Sequence, residues 1–221
     1  MRRPVRAAAR LLCAAIALAG CAGAPGGALL VDPTLQAPAA PLPPLVDHAA
    51  GIELHSCADL LAALRAGKTL GEARESSAFN AYADCLAAAL LAGARPAPHG
   101  SFDVTQAGER LYRDLDLASV ASSLAPQRPA EHYRLQDLAF DAVHVTPRQV
   151  ALQGNGFAYT FDVLALGDFR HAGRPELLVR FSDRSTAGGS YDQRAVLVVD
   201  TVPGSTALVA TDALEILSAS R

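Results

Sequence analysis

Val150-Ala151-Leu152-Gln153-Gly154-Asn155-Gly156-Phe157-Ala158-Tyr159-Thr160-Phe161-Asp162-Val163 is the stretch that decides how the second half of this chain folds. Val150 and Leu152 share one parity, and Phe157, Tyr159, Phe161 and Val163 share another. Successive side chains of a strand point to opposite faces, so a period of two marks a strand with one buried face. Between the two rows lies Gly154-Asn155-Gly156. Asn and Gly accept the positive φ that a tight hairpin turn requires. The stretch therefore predicts two antiparallel strands joined by a short turn.

The same pattern continues on both sides. Val143 and Val145 alternate with polar neighbours before it, and Leu177, Val179 and Phe181 do so after it. Ala195 to Val199 and Leu208 to Ala210 follow. Short strands at close spacing, with no long helix between them, predict an antiparallel β-meander over residues 131–221.

Residues 51–130 read as helical. Ser56 with Asp59 three residues on approaches a capping box, Leu60, Leu61 and Leu64 form an apolar stripe, and Gly67 is a stop. A second helix is predicted from about Arg74 to Ala92, ending at Gly93. Phe79, Tyr82, Leu86 and Leu90 form its stripe, with Cys85 at the edge. The pair predicts a helical hairpin. A third helix is expected between Gln106 and Leu124, weakened at Asp116 and Ser119 to Ser123, and ended by Pro126 and Pro129. The predicted fold is α+β: an N-terminal helical hairpin plus a third helix, then an antiparallel meander.

The first 20 residues differ from the rest. A basic head (Arg2, Arg3, Arg6, Arg10) precedes an apolar run from Leu11 to Leu18 and then small residues. That is the layout of a secretory signal peptide. The run is shorter than the roughly 20 residues needed to span a bilayer. Leu18-Ala19-Gly20-Cys21 resembles the lipobox of bacterial lipoproteins. The other reading is an ordinary secretory signal whose cleavage site abuts a cysteine. The resemblance implies cleavage before Cys21, lipid on Cys21 and contact with the membrane through that anchor. Because Ala22 rather than Asp follows, it also implies the outer membrane, with the chain facing the periplasm. Residues 21–50 are rich in Ala, Pro and Gly and read as a tether with a reach of roughly 30 Å. A short strand around Leu29-Leu30-Val31 is the alternative.

The chain carries 19 basic and 22 acidic residues, and without the four arginines of residues 1–20 its net charge falls from −3 to −7. A mildly acidic protein does not suit nucleic acid, whose binding depends on neutralising phosphates. Of four cysteines, Cys13 lies in the signal, and the lipobox resemblance assigns Cys21 to lipid. Cys57 and Cys85 remain, in what that resemblance makes an oxidising compartment, and a disulfide between them is the expectation. It would close a loop worth about 3.5 kcal/mol in the chain-entropy model. Metal-binding thiols or a redox pair are the rival readings, although zinc sites favour close pairs such as C-x-x-C, which this chain lacks.

One constellation carries possible chemistry. Gly167-Asp168-Phe169-Arg170-His171-Ala172-Gly173-Arg174-Pro175-Glu176-Leu177-Leu178-Val179 resembles the calcium-loop hairpin of integrin-type FG-GAP repeats, roughly D-F-N-x-D-G-x-x-D-L. Asp168 and Phe169 match its start, Gly173 its turn glycine, and Glu176 and Leu177 its close. Calcium wants six to eight oxygen ligands from alternate loop positions. Here Arg170 and Ala172 stand at the two middle ligand positions, bringing a positive charge and no oxygen. The expectation is a hairpin that keeps the turn geometry without the ion, with Arg170 pairing to Asp168 or Glu176. No metal and no cofactor is expected. A single copy does not support a propeller.

No other motif stands out. The six histidines are scattered, and neither H-E-x-x-H, G-x-S-x-G nor a phosphate-binding glycine loop is present. Two function classes follow. One is a non-catalytic envelope lipoprotein that binds an envelope protein or cell-wall partner or serves structurally. The other is a small periplasmic hydrolase acting on envelope material. A deep pocket of convergent Asp, His and Ser side chains would favour the enzyme, and a shallow apolar patch the binder.

Overall fold

The computed structural model describes residues 29–30, 32–33, 35, 37–39, 41–97, 102–124, 134–201 and 204–219. Cys21 and the expected signal peptide lie outside the described residues. The fold is mixed α+β around one antiparallel sheet. Strands β1 (Leu29–Leu30), β2 (Leu45–Asp47) and β3 (Ile52–Leu54) come first. Helices α1 (Cys57–Arg65), α2 (Gly71–Glu75), α3 (Ala83–Gly93) and α4 (Ala107–Asp114) follow. Then come β4 (Ala142–Thr146), β5 (Gln149–Gly154), β6 (Phe157–Gly167), β7 (Glu176–Ser185), β8 (Asp192–Thr201), β9 (Leu208–Asp212) and α5 (Ala213–Ala219).

The meander is present as expected. Six strands pair in the order β4-β5-β6-β7-β8-β9, all antiparallel, and β1 adds to the far end of β6 through Leu166 and Ala165. Asn155 (φ 53°) and Gly156 (φ 79°) make the β5–β6 turn in the positive-φ region, as a two-residue hairpin requires. The strands alternate between two apolar cores. Leu178, Val196 and Val198 face one, under α1, α3, α5 and the β2–β3 ladder. Phe161, Val179, Phe181 and Val199 face the other, under α4 and the residues that follow it. A bulge in β6 between Val163 and Ala165 shifts the register and puts both Leu164 and Ala165 in the first core.

The helical half differs from expectation. α1 is capped by Ser56, whose side chain accepts from Asp59 N. The predicted second helix, however, breaks into α2, a 3₁₀ segment Ser77–Tyr82 and α3. Ser76 is extended (ψ 137°), and its hydroxyl accepts from Ala78 N, which offers the backbone an alternative to the helix ladder. The 3₁₀ segment lies along β8, where Asn80 Nδ2 donates to Asp192 O (2.9 Å) and Asn80 Oδ1 accepts from Arg194 N (2.7 Å). No helical hairpin forms, because the sheet edge takes the middle of the helix. Cys57 and Cys85 are nevertheless joined, with Cα atoms 5.2 Å apart, so the disulfide ties the start of α1 to the first turns of α3.

Three further differences have physical causes. The third helix stops at Asp114, because Leu115 leaves it to bridge Leu208 and Asp116 N donates to Leu208 O (2.8 Å). The end of the stretch read as a tether is folded: Leu42 and Leu45 are buried in the first core, and β2 pairs with β3. Asp47 is also buried, accepting from Ala50 N (2.8 Å) and Ala73 N (3.2 Å). α5 is not foreseen in the sequence reading. Its start is fixed by Asp212, whose Oδ1 accepts from Leu214 N (2.8 Å).

Candidate functional site

Asp168 and Gly173 lie in the β6–β7 connection, and Glu176 is the first residue of β7. Gly167 and Glu176 are the last paired residues of the two strands, and the loop between them is closed by its own side chains. Asp168 is anchored to the end of the helical half, its backbone paired with Arg95 (N···O 3.2 and 3.0 Å). Its carboxylate accepts from Ala172 N (2.8 Å) and Gly173 N (3.1 Å). Gly173 turns with φ +68°, a conformation that favours glycine. His171 adopts φ +58° and reaches across to the end of α3, Nε2 lying 2.8 Å from Gly93 O.

Glu176 is fully buried. Its Oε2 accepts from Phe169 N (2.7 Å) and Arg170 N (3.0 Å), and its Oε1 accepts from Arg170 Nε (2.6 Å). Arg170 also donates to Asp200 on β8 and to Thr211 Oγ1 on β9 (3.3 Å). Asp200 receives a second guanidinium from Arg174 (2.6 Å). Of the two pairings open to Arg170 in the sequence, the structure forms the one with Glu176 and leaves Asp168 to backbone donors. Burial alone lowers the Arg170 pKa. The carboxylates of Glu176 and Asp200 outweigh that effect and hold it above the ordinary guanidinium value.

This arrangement has a clear electrostatic consequence. A divalent cation needs carboxylate oxygens that can turn toward it. Both oxygens of Asp168 and both of Glu176 are already accepting, and a guanidinium lies on Glu176. Among the described residues no group of three or more His, Cys, Asp or Glu side chains could hold a metal ion. Beside the loop lies an open pocket of about 460 Å³, lined by Phe169, Arg170, His171, Thr211, Glu215 and Ile216. Its hydroxyl, on Thr211, accepts from Arg170, and its imidazole contacts Gly93 O. The pocket therefore brings together an engaged arginine, an apolar wall and the Glu215 carboxylate.

A second polar cluster, missed in the sequence, sits on the opposite face. Asp183 is fully buried on β7. It accepts from Ser123 N (2.7 Å), Ser123 Oγ (2.9 Å) and Tyr191 OH (3.0 Å). Tyr159 OH lies 3.1 Å from Ser123 Oγ. Burial, followed by the Asp183 charge, raises the Tyr191 pKa above the ordinary phenol value. The signal was there: Asp183 continues the buried row Leu177, Val179, Phe181, and a carboxylate in an apolar period-two row needs partners. Among the described residues the cluster is a contact of Ser123, Asp183, Tyr159 and Tyr191, and it pins the segment after α4 to the sheet. His48, His55 and His144 lie apart from it on other elements. Compared with protein-family models, with curated proteins and with solved structures, the chain finds no match.

Proposed function

We propose that this chain is a lipid-anchored protein of the bacterial envelope, held through Cys21 at the outer membrane and facing the periplasm. Its folded unit serves there as a non-catalytic binding or structural module. The observation that carries the reading is the order Leu18-Ala19-Gly20-Cys21 behind a basic head and a short apolar run. The Cys57–Cys85 disulfide supports it, because such bonds persist in oxidising compartments. The side-chain chemistry is consistent with a module that is not an enzyme: the buried carboxylates Asp168, Glu176, Asp183 and Asp200 are bonded within the chain. The partner is an envelope protein or cell-wall component reached from the anchor.

Metabolic labelling with palmitate tests the anchor. The wild-type protein takes up label and partitions with membranes, and Cys21→Ser does neither. Undiminished labelling of Cys21→Ser contradicts the proposal. Acyl chains contribute about 0.8 kcal/mol per buried methylene, so two or more make the attachment effectively stable.

A further inference from the structure

Most edges of this sheet are occupied by the chain's own segments. The open side of β8 is bonded by the Asn80 amide at Asp192 O and Arg194 N. β9 is met by Asp116 N on Leu208 O and by Ser119 Oγ, which accepts from Ala210 N (2.9 Å). The far end of β6 is met by β1 and by Asp32 N on Leu164 O (3.0 Å). The outer edge of β4 is different. Pro147 and Arg148 form a two-residue turn between Thr146 and Gln149. In an antiparallel ladder the paired residues alternate, so Thr146, His144 and Ala142 turn their backbone groups toward β5. Those of Val143 and Val145 then point away. No hydrogen bond among the described residues reaches them from that side. Val143 is 45% exposed.

We propose that the outer edge of β4 is a self-association edge, at which a second copy of this chain pairs antiparallel about a two-fold axis through His144. The strand Ala142-Val143-His144-Val145-Thr146 contains none of the usual edge protection: no lysine, no proline and no bulge within the five residues. Its outward groups are self-complementary. Val143 of one copy faces Val145 of the other, so both residues exchange N–H and C=O bonds, four in all. The ends are complementary too, because Asp141 of one copy falls beside the Pro147-Arg148 turn of the other. The exposed Val143 side chain is covered in the process. Two His144 residues become a directly opposed pair without hydrogen bonds between them, with Cα atoms about 4.5 Å apart.

Two measurements on the purified full chain decide the matter. In the first, His144→Cys is oxidised and the linked peptide is read by mass spectrometry. A 144–144 link is expected to form about tenfold or more faster than a 153–153 link in Gln153→Cys, which sits on the same face one strand inward. Equal rates overturn the proposal. In the second, sedimentation compares wild type with Val143→Pro. The proline removes an N–H that points outward, so the β4–β5 ladder keeps its bonds. Wild type is expected to shift from monomer to dimer with concentration, and Val143→Pro, checked for folding by circular dichroism, to stay monomeric. A wild-type monomer at every concentration up to about 1 mM overturns the proposal. So does a dimer that survives a folded Val143→Pro.

Discussion

Arg170→Ala should destabilise the fold by about 3 kcal/mol, because it removes the cation from a buried carboxylate. The magnitude follows from what each partner keeps. Asp200 retains Arg174, at 2.6 Å. Glu176 retains the backbone donors of Phe169 and of residue 170, but loses the guanidinium on Oε1. Glu176 is fully buried, so its charge stays behind with backbone donors but without the Arg170 countercharge. Breaking a buried pair in this way costs about 3–5 kcal/mol. The Arg170 side chain is 25% exposed, so water can reach the gap and the lower end applies. For a fold of this size that is a fall in Tm of about 6–12 °C. Thermal unfolding by circular dichroism is the assay, run as a double-mutant cycle with Glu176→Gln. The second substitution removes the stranded charge, so the double variant should be more stable than the sum of the two single losses by about 2 kcal/mol. A Tm change below about 2 °C for Arg170→Ala, or strict additivity in the cycle, would mean that Arg170 does not stabilise the buried Glu176 charge.

Other outcomes follow from single contacts. A Cβ at Gly108 would lie 2.0 Å from Thr146 O, a backbone atom, so Gly108→Ala should lower stability by about 2 kcal/mol; helix propensity alone predicts a rise of about 1 kcal/mol, and urea unfolding reads the sign. Gly93→Ala, where nothing lies within 4 Å, is the control and should be neutral or slightly stabilising. Reduction of the disulfide, which spans 28 residues, should cost about 3.5 kcal/mol, seen as a lower Tm in reducing buffer. Asp47, Asp59 and Asp103 are held below the ordinary carboxylate range, Asp47 first of all by the Ala50 N–H. The stability they contribute is present above about pH 3.9 and lost as pH falls through their lowered values. Tm should therefore drop on acidification below about pH 4, and less steeply in Asp47→Asn.

The strands of the meander, β4 to β9, were legible because their period-two rows are separated by turn residues. Val150 to Val163 contains everything the β5–β6 hairpin needs, and the structure adds only the bulge at Leu164. The disulfide was legible because two cysteines had no other assignment. The helical half was misread where a distant strand competes with local propensity. Asn80 falls inside the predicted second helix, off its apolar stripe, but β8 offers it two backbone partners. Leu115 looks helical until Leu208 lies beside it. Leu42 and Leu45 were lost in an Ala/Pro-rich background, although two leucines on either side of Pro43-Pro44 are apolar enough to be buried. In the candidate site, Arg170 and Glu176 lie six residues apart in the chain, so their pairing was open to a sequence reading. The pairing of Asp200 was not, because its role depends on a strand 24 residues after Glu176. Charged residues that interrupt an apolar row, Asp183 and Asp200, were the unused signal.

In the Asp168–Glu176 loop, Arg170 and the backbone N–H groups satisfy Glu176, and the N–H groups of Ala172 and Gly173 satisfy Asp168. Calorimetric titration of the purified protein with calcium chloride tests it most directly. No saturable heat is expected up to millimolar calcium, because the carboxylate oxygens already accept from protein donors and Arg170 occupies Glu176. Saturable binding that disappears in Asp168→Ala would contradict it and make the loop a working calcium site.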